Sequence, residues 1–91
     1  MSKELEEIKK FVGTDRLVVG FNQVMKELRK NSLEKIFIAS NPKEELLKDI
    51  KYYSELAKVP TVHLSIPNSE LGPICKKRFF ISFLGLKKSK E

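Results

Sequence analysis

Ninety-one residues leave room for one domain, because a chain this short cannot build two cores. Apolar residues make up 41% and charged residues 33%, the balance of a folded domain rather than a disordered tail. No apolar run approaches the ~20 residues of a membrane span, the charged start MSKELEEIKK lacks the apolar stretch of a secretion signal, and the single cysteine, Cys75, can form no disulfide within the chain. The expectation is a cytoplasmic protein, monomeric when free, with no membrane contact.

In chain order, SKELEEIKKFVG places Leu5, Ile8, Phe11 and Val12 at helical spacing, with Gly13 as a natural stop. RLVV (Arg16–Val19) is a short β-branched run that predicts a strand. FNQVMKELRKNS puts Phe21, Val24, Met25 and Leu28 on one stripe and predicts the second helix. KIFIAS (Lys35–Ser40) is a continuous apolar run suited to a strand buried on both faces. The third helix follows in NPKEELLKDIKYYSELAK. Asn41 is placed to cap it, Pro42 suits its first position, and Glu44 and Glu45 suit its positive first turn. Leu46, Leu47, Ile50, Tyr53, Leu56 and Ala57 are expected to form its apolar face. TVHLSI predicts a third strand, PNSELGPICKK a short helix capped by Asn68 and interrupted by Pro73, and RFFISFLGL a fourth strand. Helices and strands alternate throughout, which argues an α/β sandwich: one central sheet with helices on both faces.

The charge lies unevenly. Residues 1–75 carry 12 Lys/Arg against 11 Asp/Glu, while residues 76–91 carry six Lys/Arg and only Glu91. Nearly all of the net +6 is therefore near the C-terminus, in KKR and in a basic tail at 87–91, where it favours a polyanionic partner.

Enzymatic chemistry finds little footing. His63 is the only histidine and falls in a predicted strand, and Cys75 stands beside Ile74 as a packing residue. The four glycines form no phosphate-binding fingerprint, and no spacing suits a metal. Neither catalysis nor a cofactor is expected.

Two stretches point to nucleic acid instead. In GFNQVMK, Asn22 and Gln23 sit at the predicted start of the second helix, with Lys26 one turn on and on the same face as Asn22. An amide offers a donor and an acceptor together, as base edges require, and a helix start adds free N–H groups and partial positive charge. Gly20 would let a backbone approach closely, and Phe21 lies within the same junction. The simpler alternative is that Asn22 only caps the helix while Gln23 and Lys26 are solvated. The second stretch is KKRFFIS, where Lys76, Lys77 and Arg78 precede Phe79 and Phe80. If both rings lie in a strand, alternation prevents them from sharing the core, so one is expected to be exposed as a stacking surface for unpaired RNA. GFNQ and the SNP of Ser40–Pro42 both lie at strand-to-helix junctions, where they could share one rim of the sheet.

GFNQVMKELRKNSLEKIFIASNPKEELLKDIKYYSELAKVP, followed by SELG and KKRFFIS, resembles the L-thirty-e family of archaeal and eukaryotic large-subunit ribosomal proteins, within the L-seven-Ae superfamily of kink-turn RNA binders. The similarity covers about residues 4–86, and IASNP, DIKYY and ELG are its most specific parts. The resemblance implies a three-layer α/β/α sandwich around a mixed four-stranded sheet. It also implies recognition of a sharply bent RNA loop whose tandem G·A pairs lie beside a splayed-out base. Gly20, Asn22, Gln23 and Lys26 would stand at the helix start that reads the G·A pairs, with Ser40 and Asn41 bordering the same rim. Lys77 and Phe79 would lie in the loop after the fourth helix. Gln23 stands in place of the glutamate of the L-seven-Ae branch, and Lys76 stands where these proteins often have glycine.

The expected function is that of an RNA-binding component of the large ribosomal subunit, with ribosomal RNA and other large-subunit proteins as partners. A stand-alone kink-turn protein of a small ribonucleoprotein, or a messenger-RNA regulator, is the alternative. A protein-interaction module without an RNA role is the distant one.

Overall fold

The computed structural model describes residues 3–88. Its elements are α1 (Lys3–Phe11), β1 (Leu17–Val19), α2 (Phe21–Arg29), β2 (Leu33–Ile38), α3 (Glu44–Ala57), β3 (Thr61–His63), α4 (Asn68–Ile74) and β4 (Phe83–Lys87). The strands form one sheet in the order β1-β4-β2-β3. β2 and β3 run parallel, while β4 runs antiparallel to both β1 and β2, so the sheet is mixed.

Side-chain alternation along the central strands feeds two cores. Ile36 and Ile38 join Val24, Met25 and Leu28 of α2 and Ile50 of α3 on one face. Phe37 and Ala39 join Ile8 of α1, Leu71 of α4, and Leu84 and Leu86 on the other. The result is a three-layer α/β/α sandwich with α2 and α3 on one face and α1 and α4 on the other. The buried side chains of β2 are large and apolar, and fully burying each is worth roughly 1.5–3 kcal/mol. No described helix is long and apolar enough to cross a membrane.

Several boundaries differ from those expected, β2 running Leu33–Ile38 rather than Lys35–Ser40 and β3 ending at His63. α3 starts at Glu44 with Lys43 at its cap, so Asn41 lies outside it. Asn41 is drawn away by Asn68: its Oδ1 accepts the Asn68 backbone N–H at 2.7 Å, and its Nδ2 donates to Asn68 Oδ1 at 3.4 Å. Asn68 in turn is the first residue of α4 rather than its cap. β4 begins only at Phe83, because residues 77–82 are held elsewhere by hydrogen bonds to α4 and to the end of β2. Leu56 is 65% exposed, while Ser54 is buried in its stead. At 3.6 residues per turn, Leu56 lies about 120° round the helix from the buried Ile50, outside the stripe that meets the sheet. The expected tail is divided: Lys87 belongs to β4, Lys88 follows it, and residues 89–91 lie outside the described residues.

Candidate nucleic-acid interface

Strand direction decides which loops meet. β1, β2 and β3 end, and β4 begins, at the same edge, since Val19 pairs with Leu84, Ile38 with Phe83, and Ile38 with His63. α2, α3 and α4 therefore all start at this rim, and the loop entering β4 crosses it. Backbone hydrogen bonds lace the segments together: Gly20 N–H donates to the Phe83 carbonyl at 3.0 Å, Ala39 N–H to Ser82 at 2.9 Å, and Ser40 N–H to Ile66 at 2.8 Å. The side chain of Asn68 adds a bond to Ser82 Oγ at 3.3 Å. The rim thus brings together Gly20–Lys26, Ser40, Asn41 and the Ser82–Phe83 end of the loop into β4, whose other end, at Lys76 and Lys77, lies against Val12–Thr14 between α1 and β1.

The start of α2 differs from the other two helix starts on the rim. Gly20 caps it at φ 96, ψ 156, a backbone region open essentially only to glycine, and it supplies no capping side chain. α3 carries Glu44 and Glu45 in its first turn and α4 carries Glu70, but the first turn of α2 has no acid. Its free N–H groups and positive dipole end are accordingly left to an outside acceptor. Asn22, Gln23 and Lys26 are all exposed, and their side chains make no hydrogen bond or ion pair among the described residues. Asn22 does not cap the helix. Phe21 faces inward, its ring set edge-to-face on Phe83 with centroids 5.8 Å apart, so it supports the rim from below.

The loop into β4 is shaped by α4. Lys77 N–H donates to the Gly72 carbonyl at 2.9 Å and Ile81 N–H to that of Asn68 at 3.2 Å, which folds residues 77–81 back over the helix. A Cβ on Gly72 would collide with the carbonyl oxygen of Phe79, and this close approach is why a helix interior carries glycine there. Lys76 adopts φ 60, the left-handed region that favours glycine. Lys76, Lys77, Arg78, Phe79 and Phe80 are all exposed, the rings by 57% and 70%. The strand alternation expected to hide one ring never operates, since both precede β4. The sequence pattern predicts one exposed ring and places Phe79 in the candidate site; Phe80 is exposed as well, directly beside it.

Asn41 borders the rim, yet both of its side-chain polar atoms are engaged by Asn68, so it ties two loops together. Ser40 is exposed beside it. The ion pairs of the described residues use Arg16, Lys35 and Lys87, and leave Lys26, Lys76, Lys77 and Arg78 with no carboxylate within 4 Å. His63 is exposed at the end of β3, whereas Cys75 is buried, and burial pushes its thiol above the ordinary value against the opposing influence of Lys77. A thiol so placed is protonated at neutral pH and is a poor nucleophile.

The chain is 31% identical to the large ribosomal subunit protein eL30 of Methanopyrus kandleri, across 92% of this chain and 78% of that protein. It is 33% identical to the eL30 of Methanococcus vannielii, across 80% of this chain and 70% of that protein. Among solved structures, one described as the Giardia lamblia 15.5kD RNA binding protein matches with a TM-score of 0.79 over 99% of this chain and 79% of that one, a likeness of fold at 20% identity. The model of the Ribosomal protein L7Ae/L30e/S12e/Gadd45 family matches residues 3–91, and the chain belongs to that family, with its L30e members as relatives.

Proposed function

We propose that this protein is a non-enzymatic, RNA-binding component of the large ribosomal subunit, of the L30e type, and that it recognises a kink-turn. The observation that carries the reading is the rim itself. The only one of its three helix starts without an acid in the first turn is joined through the Gly20–Phe83 hydrogen bond to a loop of three unpaired cations and exposed aromatic rings. The names of the eL30 relatives favour the ribosomal setting over a stand-alone ribonucleoprotein. On this reading the protein acts in the cytoplasm on the ribosome, as a monomer until it meets ribosomal RNA and neighbouring large-subunit proteins.

Binding is the whole of the chemistry. The amides of Asn22 and Gln23 pair with the base edges of the tandem G·A step, and the free N–H groups of the α2 start donate to phosphate oxygens of the adjoining backbone. A neutral Gln23 both donates and accepts where a carboxylate could only accept. Lys26, one turn along, neutralises a phosphate or meets a base carbonyl. Lys76, Lys77 and Arg78 hold the phosphates of the bent strand while Phe79 covers its unstacked base. Ser40 borders this surface, and Asn41 keeps the loops in register. Several phosphate contacts release counterions, so affinity should fall steeply with salt.

The test is an equilibrium binding titration with a kink-turn RNA and with the same RNA carrying disrupted G·A pairs. Preference for the intact RNA by tenfold or more, about 1.4 kcal/mol, is expected. Equal affinity for the two would leave only general attraction to charge and would end the kink-turn reading.

A further inference from the structure

The loop into β4 offers one more aromatic face than a single splayed base requires. Phe79 and Phe80 are consecutive and both mostly exposed. They do not stack on each other: the ring pairs among the described residues are Phe21 with Phe83 and Tyr52 with Tyr53. Nor, among the described residues, does a cation cover either ring, the close cation–ring contacts there being those of Lys10 and Arg16 with Phe11 and of Lys35 with Phe37. Two separate, unoccupied faces are therefore presented side by side. We infer that the loop is a two-base platform, in which Phe79 and Phe80 each stack on one unpaired base. The RNA bound here would then splay at least two nucleotides. The inference rests on the RNA-binding role proposed above.

Two observations support it. The rings sit between anchors only four residues apart, Lys77 on Gly72 and Ile81 on Asn68, and Ile81 is buried, so the intervening backbone is held before any ligand arrives. Preorganisation of this kind removes ordering cost from binding. The charges match as well: Lys76, Lys77 and Arg78 adjoin the rings, and no acidic residue occurs between Glu70 and Glu91. A nucleotide carries one phosphate and one stacking face, so two or three nucleotides answer both the rings and the cations. An apolar protein segment laid on the rings would leave the three cations without countercharge, which is why RNA is the favoured occupant.

The test uses the full chain and a kink-turn RNA whose unpaired nucleotides are replaced one at a time by abasic sites, read by fluorescence anisotropy. Wild type should show two neighbouring positions where base removal weakens binding. Phe80→Ala should weaken the parent RNA by about 5- to 150-fold, the range of one lost stack, and should render one of those positions silent. Phe79→Ala should silence the other. Phe80→Trp should bind as wild type, and Phe80→Lys should not. Because the ring is exposed, an unchanged melting temperature verifies that each variant is folded. Neutral behaviour of Phe80→Ala, full affinity of Phe80→Lys, or a single sensitive nucleotide would overturn the platform while leaving preference for intact G·A pairs in place. Loss of co-sedimentation with large subunits by Phe80→Ala, with RNA affinity intact, would assign the ring to a protein neighbour and equally overturn it. A wild type indifferent to the G·A pairs would overturn the underlying role, and the platform with it.

Discussion

The two ends of the sheet carry similar residues but pair their charges differently. At the rim, Phe79 and Phe80 are exposed among Lys76, Lys77 and Arg78. At the far end and along α3, Tyr52 and Leu56 are exposed, and Leu56 borders a groove of about 350 Å³ floored by Leu28, Tyr53 and Ala57 and flanked by Arg29 and Lys58. Both ends are basic and partly apolar. However, the rim is where α2 begins, uncapped, whereas α2 and α3 terminate at the far end. There Asn31 and Lys58 adopt left-handed backbone and their N–H groups close onto the Leu28 and Glu55 carbonyls. Arg16 and Lys87 at the far end are matched by Glu34 and Glu27, while Lys26, Lys76, Lys77 and Arg78 have no carboxylate within 4 Å among the described residues. What a lysine means on a surface depends on whether a carboxylate stands within reach of it.

Substitutions can break or sharpen this contrast. The largest effect is expected from Gly72→Ala, which drives a methyl into the carbonyl of Phe79. Stability should fall by about 2–3 kcal/mol in denaturant unfolding, and RNA affinity should fall with it as the loop is displaced. Asn22→Ala and Lys26→Ala should each weaken kink-turn binding by about 1–3 kcal/mol with little change in melting temperature, since both side chains are exposed and make no hydrogen bond or ion pair among the described residues.

The far end should behave conversely. Ser32 Oγ donates to Glu27 Oε1 at 2.6 Å, and this bond, aided by Lys87, holds the Glu27 carboxyl below its ordinary value. Ser32→Ala should therefore cost about 1 kcal/mol of stability at neutral pH and leave RNA binding unchanged. A depressed carboxylate stabilises above its unfolded-state pKa, so the difference between wild type and variant should shrink as pH falls through and below about 4. Lys76→Gly should relieve a left-handed non-glycine residue, stabilising the fold by about 0.5–1 kcal/mol, and should lower the salt dependence of RNA binding by about one phosphate contact. Leu56→Ser should be smallest, within about 0.5 kcal/mol in stability and neutral towards RNA. If Leu56→Ser weakens RNA binding more than Asn22→Ala does, the two ends have been assigned the wrong way round.

Much of the architecture was legible from local pattern. The 3.6-residue stripe of Val24, Met25 and Leu28 and the unbroken run Ile36–Ala39 specify which residues avoid water, and burial drives both elements wherever they pack. The helix start at Gly20–Lys26 was legible for a similar reason, since its glycine and amides act within one turn. Caps were not legible. Asn41 and Asn68 each look like the cap of the helix that follows, yet they bond to each other across 27 residues. RFFISFLGL looks like one strand, and nothing within it shows that Gly72 admits the passing backbone and cuts the strand back to Phe83.

The sequence by itself determined the order of elements, the apolar faces and the excess positive charge, because these follow from periodicity and composition and need no distant partner. Only the tertiary structure decided that three helix starts and the β4 loop share one edge, and that Phe79 and Phe80 both remain in solvent. Each of these depends on strand direction and on hydrogen bonds between residues far apart in the chain, whose free energy overrides the weaker local preferences of a cap or a strand.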